Sequence, residues 1–263
     1  MIPKIIHYIW FSDSPEYPED VVKCMNSWKE KMPDYEIKLW DAKDFDFSVC
    51  PYAQEAFQEK KYAFASDYVR LWALYNYGGI YLDTDIEVIK RFDELLDNKA
   101  FTGFEDHNRV AAWIFGSEKG NPIFKEFMDD YDGRRFILGE GQYDTTPNPV
   151  PITKRLVEHG LQLNGEYQEL DEITIYPMDY FCPFNPYRES GDCFTENAYA
   201  NHHFNGAWKK ASNEKEIAYK KKEAKYIKIF GRKWGHKICR HLTILRHIGP
   251  VEWCKQYLLK SKR

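Results

Sequence analysis

The chain has 263 residues, 43% of them hydrophobic and 17% aromatic, and its formal net charge at pH 7 is −4. That length suffices for one large domain with an ample core, and the absence of an apolar run of about 18 residues argues against a transmembrane helix. The first apolar run is short and contains His7 and Trp10, so no secretory signal is expected. The six cysteines lie far apart without a C-x-x-C pair, which favours reduced thiols in the cytosol over disulfides or a zinc site.

The predicted elements begin with a buried strand over residues 4–11 and an amphipathic helix over 21–32. A strand over 35–41 and a long helical pattern over 52–77 follow. Gly78 ends that helix, because glycine readily adopts the left-handed cap conformation, and residues 80–85 read as a third strand. This alternation of strands and helices predicts an α/β sheet with a ligand site at the carboxyl ends of its strands.

The middle of the chain shows further short elements. Residues 100–105 and 110–116 have strand patterns, and residues 121–131 have a helical pattern. A proline-rich loop over 143–156 runs into a helix, and residues 199–208 read as a strand that leads to a glycine turn.

Charge divides the chain into two parts. Residues 209–263 contain 17 Lys and Arg against 4 Glu, whereas residues 1–208 contain 20 basic and 37 acidic residues. We therefore expect a domain over 1–208 and a basic, amphipathic helical region over 209–263. The apolar stripes of 213–263 favour contact with an anionic membrane surface; the alternative is packing on the domain with a solvated basic face. No nucleic-acid motif accompanies this region, so no nucleic-acid partner is expected.

Two aspartates mark the end of the third strand. The chain contains three D-x-D triplets, but only Asp83-Thr84-Asp85 follows a buried strand. Alternate residues of a strand point the same way, so both carboxylates should meet at one spot and offer hard oxygen ligands to Mn²⁺ or Mg²⁺. A solvated strand end is the alternative interpretation.

Several motifs arrive together in a familiar order. They are Ser66-Asp67-x-x-Arg70, Gly78-Gly79-x-Tyr81-x-Asp83-x-Asp85, the opening "IPKIIHYIWF", and "SW" followed by "YEIKLWD". This set resembles the glycosyltransferase family 32-like proteins with a D-x-D sugar-binding region, which include initiating mannosyltransferases and capsular polysaccharide transferases. The clostridial glucosylating toxins are distantly similar. The match covers roughly residues 2–90 and the segment 199–208.

The resemblance implies a GT-A (Rossmann-like) fold and a retaining hexosyltransferase that uses a nucleotide sugar, with UDP-hexose favoured over GDP-mannose, and Mn²⁺ or Mg²⁺. It implies catalytic roles for Asp83, Asp85 and Arg70. It assigns the metal to Asp83, Asp85 and, through an H-F-x-G segment, His203 in preference to His202. Donor contacts are implied for His7, Ile9, Trp10, Asp67, Arg70, Tyr81, Asp83, Thr84 and Trp208.

The sequence matches the family least over residues 105–195, where the acceptor site is expected. Its candidate residues are Glu105, Asp106, Glu140 and Gln142. A glycan acceptor, lipid-linked in capsule, O-antigen or exopolysaccharide synthesis, would place the enzyme in the cytoplasm, peripheral to the inner face of the cytoplasmic membrane.

Two other functions remain open at this point. A phosphohydrolase of the D-x-D-x-T type would use Asp83 as nucleophile, but Glu87 stands where that motif has Thr. A sugar-binding or scaffold protein could retain the fold without catalysis.

Overall fold

The computed structural model describes residues 1–12, 16–139, 142–184 and 195–204. The predictions for Glu140, Trp208 and the basic region 213–263 lie outside these residues. The helices are α1 (Glu19–Lys31), α2 (Pro51–Gln58), α3 (Tyr62–Tyr77), α4 (Pro122–Asp129), α5 (Pro149–Glu158) and α6 (Met178–Phe181). Single 3₁₀ turns lie at Phe47–Val49 and Asp93–Leu95.

The strands form one large sheet and two small ones. They are β1 (Ile5–Ile9), β2 (Glu36–Trp40), β3 (Gly79–Leu82), β4 (Ile86–Val88), β5 (Ala100–Asp106), β6 (Arg109–Val110), β7 (Ile114–Ser117), β8 (Ile137–Gly139), β9 (Gln142–Tyr143), β10 (Gln168–Glu169), β11 (Thr174–Tyr176) and β12 (Ala200–His202). The large sheet has the order β10-β11-β5-β7-β3-β1-β2, with β6 paired to β5. β12 pairs with β4, and β8 pairs with β9.

Most strands of the large sheet run in one direction. β1 is parallel to β2 and β3, and β11 is parallel to β5. β7 is antiparallel to both β3 and β5, so β5 runs the same way as β3 and β7 alone runs against its neighbours in the centre. The predicted α/β class, with a mostly parallel central sheet, is confirmed.

The order of the first three strands creates a crevice. β1 has β2 on one side and β3 on the other, so the winding of the chain reverses at β1. In open α/β sheets, ligands bind outside the carboxyl ends of the strands at such a reversal. The ends of β1 and β3 therefore define where a site should lie, and the D-x-D triplet follows β3 directly.

Helix α1 forms as its sequence predicts. Glu19 and Asp20 occupy its first turn and Lys29 and Lys31 its last, which suits the charges of the helix ends. Its buried face packs against β4, and the indole N–H of Trp28 donates to the carbonyl of Ile86 over 2.7 Å. This contact supports the segment that follows the D-x-D triplet.

The expectation of one helix over residues 52–77 is wrong. α2 ends at Gln58 and α3 begins at Tyr62, and Lys60 between them has φ 55°. The amide of Lys61 donates back to the carbonyl of Ala56 over 2.8 Å and closes α2. The apolar spacing runs through the break, so periodicity alone could not reveal it.

Gly78 and Gly79 join α3 to β3 in a space that excludes side chains. Their φ angles are +68° and +106°, a region that non-glycine residues rarely adopt. A Cβ on Gly79 would lie 2.7 Å from the carbonyl oxygen of Ile5 and 2.9 Å from Nε2 of His7. The glycine pair therefore lets β3 enter the sheet beside β1.

His7 lies inside this junction. The Trp40 indole N–H donates to its Nδ1 over 3.1 Å, so its Nε2–H donates to the carbonyl of Gly78 over 2.7 Å. Burial lowers the pKa of His7 to about 4, so the ring stays neutral. Both ring nitrogens are used within the core, which leaves none for a nucleotide.

Three of the six cysteines lie among the described residues. Cys24, Cys50 and Cys182 are free and buried, in agreement with reduced thiols at these three positions. The other three cysteines lie outside the described residues. No helix of the described part of the chain combines the length and apolarity that crossing a bilayer requires.

Candidate active site

The D-x-D triplet lies in a turn rather than on the strand that the sequence predicts. β3 ends at Leu82, and the chain turns through Asp83–Asp85, with the amide of Ile86 donating to the carbonyl of Asp83 over 3.1 Å. The two carboxylates therefore meet through a turn and not through strand alternation. The predicted convergence is present, but its geometric cause is different.

A histidine from a distant strand joins the two carboxylates. Nε2 of His202 lies 3.2 Å from Oδ1 of Asp85. One ligand atom each from Asp83, Asp85 and His202 lies within 4.8 Å of the others. Two carboxylates and one imidazole at this separation fit a divalent cation, with room in its coordination shell for a diphosphate.

His203 does not join this group, contrary to the expectation from the sequence. β12 pairs with β4 so that His202 faces Ile86, and successive residues of a strand point to opposite faces. Nε2 of His203 lies 2.9 Å from Glu87, at a largely exposed position. The structure therefore groups His202, and not the predicted His203, with the two aspartates.

Arg70 ties helix α3 to the triplet. Its guanidinium lies 3.0 Å from Asp67 and 3.3 Å from Asp83. It also donates to the carbonyl of Ala112 over 2.5 Å and to the hydroxyl of Ser66 over 3.1 Å. Arg70 is 5% exposed, so these bonds are shielded from water and fix the side chain.

Tyr81 and Asp67 complete the buried network. The Tyr81 hydroxyl donates to Asp83 over 2.6 Å, and the Arg70 guanidinium lies over its ring at 4.8 Å. The backbone carbonyl of Asp67 accepts a hydrogen bond from the side-chain amide of Asn148. The side-chain oxygen of Asn148 in turn accepts a hydrogen bond from the Tyr131 hydroxyl. These two contacts from the middle of the chain hold Asp67 in place and have no local signal in the sequence.

The network holds more negative than positive charge. Burial raises the pKa of Asp67 despite the neighbouring Arg70, and burial also raises the pKa of Asp83, to which Asp85 adds. Arg70 pairs with two carboxylates, those of Asp67 and Asp83, and Asp85 adds a third carboxylate beside Asp83. A divalent cation would balance this charge, which is a second observation that fits the residues to a metal.

The segment Ala111–Trp113 links this site to β5, and we call it the crossing segment. The amide of Ala111 donates to the carbonyl of Gly103 over 2.8 Å, and the carbonyl of Trp113 accepts from the amide of Asp83 over 2.9 Å. The Trp113 ring packs against His202 with centroids 4.6 Å apart. The predicted continuous strand over 110–116 is interrupted here, because this segment runs between β6 and β7.

The predicted donor residues do not all reach this crevice. His7 and Ile9 are buried in the core. Trp10 follows β1 and lies against Tyr17 at 5.1 Å between ring centroids; its buried indole N–H has no hydrogen-bond partner in the described part of the chain. Thr84 lies partly exposed in the D-x-D turn. Trp10 is therefore only partly buried at the end of β1, whereas His7 and Ile9 lie within the core.

The acceptor candidates also separate. Glu105 lies at the carboxyl end of β5, where burial raises its pKa despite the opposing charges of Arg109 and His202. Asp106 pairs with Arg109 at 2.7 Å. Gln142 lies on the small β8–β9 sheet, apart from the large one. The sequence offered no means to distinguish these residues.

The comparisons with known proteins agree with the site's chemistry. Residues 18–102 match the family described as "Glycosyltransferase sugar-binding region containing DXD motif". The chain is 35% identical over 131 residues to inositol phosphoceramide mannosyltransferase 3 of Schizosaccharomyces pombe, which is 48% of this chain and 36% of that protein. It is 22% identical over 281 residues to the initiation-specific alpha-1,6-mannosyltransferase of Candida albicans, covering 79% and 72%.

Among solved structures, the PaToxG glycosyltransferase aligns with a TM-score of 0.47 at 22% identity, covering 60% of this chain and 68% of that one. The chain spans little more than a third of the length of the Schizosaccharomyces relative. Residues 18–102 contain both the Asp67–Arg70 pair and the D-x-D turn. Over those residues, the chain is similar to the glycosyltransferases whose sugar-binding region contains a DXD motif.

Proposed function

We propose that the chain is a metal-dependent retaining glycosyltransferase that transfers a hexose from a nucleotide sugar to a glycan or lipid-linked acceptor. One observation carries the proposal: Asp83, Asp85 and His202 bring three ligand atoms within 4.8 Å at the crevice, beside the buried Arg70. The family match over 18–102 supports the reaction class.

The metal would be held by Asp83, Asp85 and His202. Mn²⁺ or Mg²⁺ suits carboxylate and diphosphate oxygens. When bound, such an ion acts as a Lewis acid that stabilises the negative charge growing on a departing nucleoside diphosphate. His202 would serve through Nε2, which requires the proton on Nδ1, a buried atom without a partner in the described residues.

The chain's own residues would prepare the crevice for the donor. Arg70, held by Ser66, Asp67 and Asp83, supplies a fixed positive charge near the leaving diphosphate. Asp67 would accept hydrogen bonds from donor hydroxyls, and Trp10 would stack on the base. A network held this rigidly needs little reorganisation when charge develops.

The names of the similar proteins guide the choice between the two candidate donors. The names of both curated relatives describe mannosyltransferases, which favours GDP-mannose, whereas the likeness to bacterial transferases favours UDP-hexose. We propose GDP-mannose first and UDP-hexose second. The first of these relatives is named for inositol phosphoceramide, which supports an acceptor with a polyol head on a lipid; capsule, O-antigen and exopolysaccharide precursors are acceptors of the same kind.

Such an acceptor suits an enzyme that works at a membrane surface. We propose that residues 213–263 contact anionic lipid at the inner face of the cytoplasmic membrane, since 15 of these 51 residues are Lys or Arg. Flotation with anionic and with neutral vesicles tests this. Equal recovery with both vesicle types, or after removal of 213–263, would count against membrane contact.

The function itself is tested by donor binding and turnover. The full chain would be screened by thermal shift with GDP-mannose, UDP-glucose and UDP-galactose, each with and without Mn²⁺. A donor present at 100 times its Kd stabilises the native state by about 2.7 kcal/mol. Slow metal-dependent hydrolysis of that donor without acceptor separates an enzyme from a binding or scaffold protein. Stabilisation by none of the donors would refute the proposal.

A further inference from the structure

The acceptor face of the crevice is marked by a local irregularity in β5. β5 pairs with β6 through Phe104 opposite Val110 and Asp106 opposite Arg109. Glu105 therefore has no counterpart on β6, and the register shifts at this position. Such bulges redirect a side chain and are frequent beside active sites. The irregularity falls on Glu105, one of the acidic acceptor candidates.

The bulge lies at the carboxyl end of the sheet. β5 runs in the same direction as β3, with β7 between them. The end of β5 at Asp106 and the D-x-D turn therefore lie at the same edge. Phe104 is fully buried, whereas Glu105 at this end of β5 is only partly buried.

The crossing segment connects Glu105 to the metal ligands. Its three residues are each anchored: Ala111 to Gly103 of β5, Ala112 to Arg70, and Trp113 to the amide of Asp83. The hydroxyl of Thr102 donates to the carbonyls of Ala111 and Ile114, over 3.1 and 2.8 Å. Because the Trp113 ring also packs against His202, the crossing segment connects β5, which carries Glu105, to the ligand cluster.

The carboxylates of Glu105 and its neighbour Asp106 lie in different electrostatic environments. Asp106 accepts from Arg109 and from the amide of Asn108 over 2.7 and 2.8 Å, a self-contained turn. Burial instead raises the pKa of Glu105, and the charges of Arg109 and His202 offset only part of this rise. A partly buried carboxylate at a crevice surface suits a ligand that donates hydrogen bonds.

We propose that Glu105 binds the acceptor, by accepting a hydrogen bond from a hydroxyl of a polyol such as a sugar or a cyclitol. This rests on the proposed glycosyltransferase function. Glu105 is a positioning residue in this assignment: it orients the acceptor toward the donor held at Asp83 and Asp85 and exchanges no proton or covalent bond. The hydroxyl-binding role explains why a carboxylate is placed at a bulge beside Trp113.

The test compares Glu105→Gln with Asp106→Asn in the full chain with Mn²⁺. The donor is whichever nucleotide sugar stabilises the wild type most, and the acceptor probes are myo-inositol and methyl α-mannopyranoside. For Glu105→Gln we expect kcat/KM for the acceptor to fall at least about 10-fold, mainly through KM, because a hydrogen bond to a charged group is weakened. Donor-induced thermal shift and acceptor-free hydrolysis should stay within about twofold of the wild type. Asp106→Asn should leave transfer unchanged.

The outcomes separate the two proposals. If the wild type neither binds nor hydrolyses any donor, the proposed function fails and this assignment fails with it. If the wild type consumes donor but glycosylates neither probe and is accelerated by neither, the polyol assignment alone is overturned. The assignment is also overturned if Glu105→Gln keeps the wild-type acceptor KM, or if it loses the donor-induced shift as much as the transfer.

Discussion

Asp83 and Trp113 are joined by a backbone hydrogen bond of 2.9 Å, from the amide of the aspartate to the carbonyl of the tryptophan. This bond fixes the start of the D-x-D turn against the crossing segment, while the Trp113 ring contacts His202. A single residue that belongs to no recognised motif thus positions both a carboxylate and the imidazole. The proposed site depends on the tertiary fold as much as on its motif.

Removal of the Asp85 carboxylate should abolish transfer while the fold is retained. Asp85→Ala takes away a proposed metal ligand and lowers the excess negative charge, so the metal-free protein should melt as the wild type does. We expect transfer to fall by roughly 10³-fold or more, since several kcal/mol of leaving-group stabilisation are lost. Turnover and the Mn²⁺-induced thermal shift are the measurements. Asp132→Asn, at an exposed aspartate of another D-x-D triplet, is the control, and wild-type turnover in Asp85→Ala would contradict the assignment.

The two adjacent histidines should behave differently. His202→Ala removes an imidazole 3.2 Å from Asp85, whereas His203→Ala removes one that contacts exposed Glu87. We expect the apparent Mn²⁺ affinity to fall about 10- to 100-fold in the first variant and to be unchanged in the second. Titration with Mn²⁺ followed by thermal shift measures this. The reverse result would restore His203 as the ligand.

Arg70→Lys should be disruptive although it keeps the charge. An ammonium group cannot serve Ser66, Asp67, Asp83 and Ala112 at once, as the planar guanidinium does. Leaving buried carboxylates partly unpaired costs up to about 3–5 kcal/mol of the free energy of unfolding. Urea denaturation measures the loss, and Arg155→Lys, in a more exposed ion-pair cluster, is the matched control. Equal effects of the two changes would show that the Arg70 network adds little.

The acid sensitivity of the protein should depend partly on His7. Its pKa is lowered from 6.5 to about 4 in the folded state by burial, so the unfolded chain binds the proton more readily. The stability from neutral His7 is fully present above pH 6.5 and is lost as pH falls toward 4. At pH 5 the free energy of unfolding has lost about 2 kcal/mol of this contribution. His7→Gln should lack that part of the slope of unfolding free energy between pH 7 and 5.

The comparison of slopes is needed because other groups titrate in the same range. Burial raises the pKa values of Asp67 and Asp83, and raised carboxyl pKa values stabilise the fold as pH falls, opposite to His7. These contributions are common to the wild type and His7→Gln and cancel in the difference. Identical slopes in the two proteins would mean that His7 is not neutral in the core.

The glycine pair should resist substitution for steric reasons beyond its backbone angles. Gly79→Ala brings a methyl group to 2.7 Å from the Ile5 carbonyl, whereas Gly120, with φ +76°, has nothing within 4 Å. Both changes share the strain of a positive φ, about 1 kcal/mol. We expect Gly79→Ala to lose at least about 2 kcal/mol more than Gly120→Ala in denaturant unfolding. Equal losses would show that β3 moves aside without cost.

Local patterns determined much of the fold. The alternation of strand and helix through residue 82, the glycine junction and the three-residue spacing of Asp67 and Arg70 on one helix are properties of neighbouring residues. Periodicity and turn chemistry report such properties directly. The same patterns identified which D-x-D triplet follows a buried strand, although they placed that triplet on the strand and not in the turn after it.

Tertiary structure alone decided which side chains meet at the site. His202 and His203 are equivalent in the sequence, and only the register of β12 on β4 selects the one that faces Asp85. The carbonyl of Ala112 and the ring of Trp113 enter the site through pairing of β7 with β3 and β5, and Glu105 is distinguished by a bulge against β6. Strand register is set by contacts between residues far apart in the chain, and a shift of one residue reverses every side chain, so a local pattern cannot specify it.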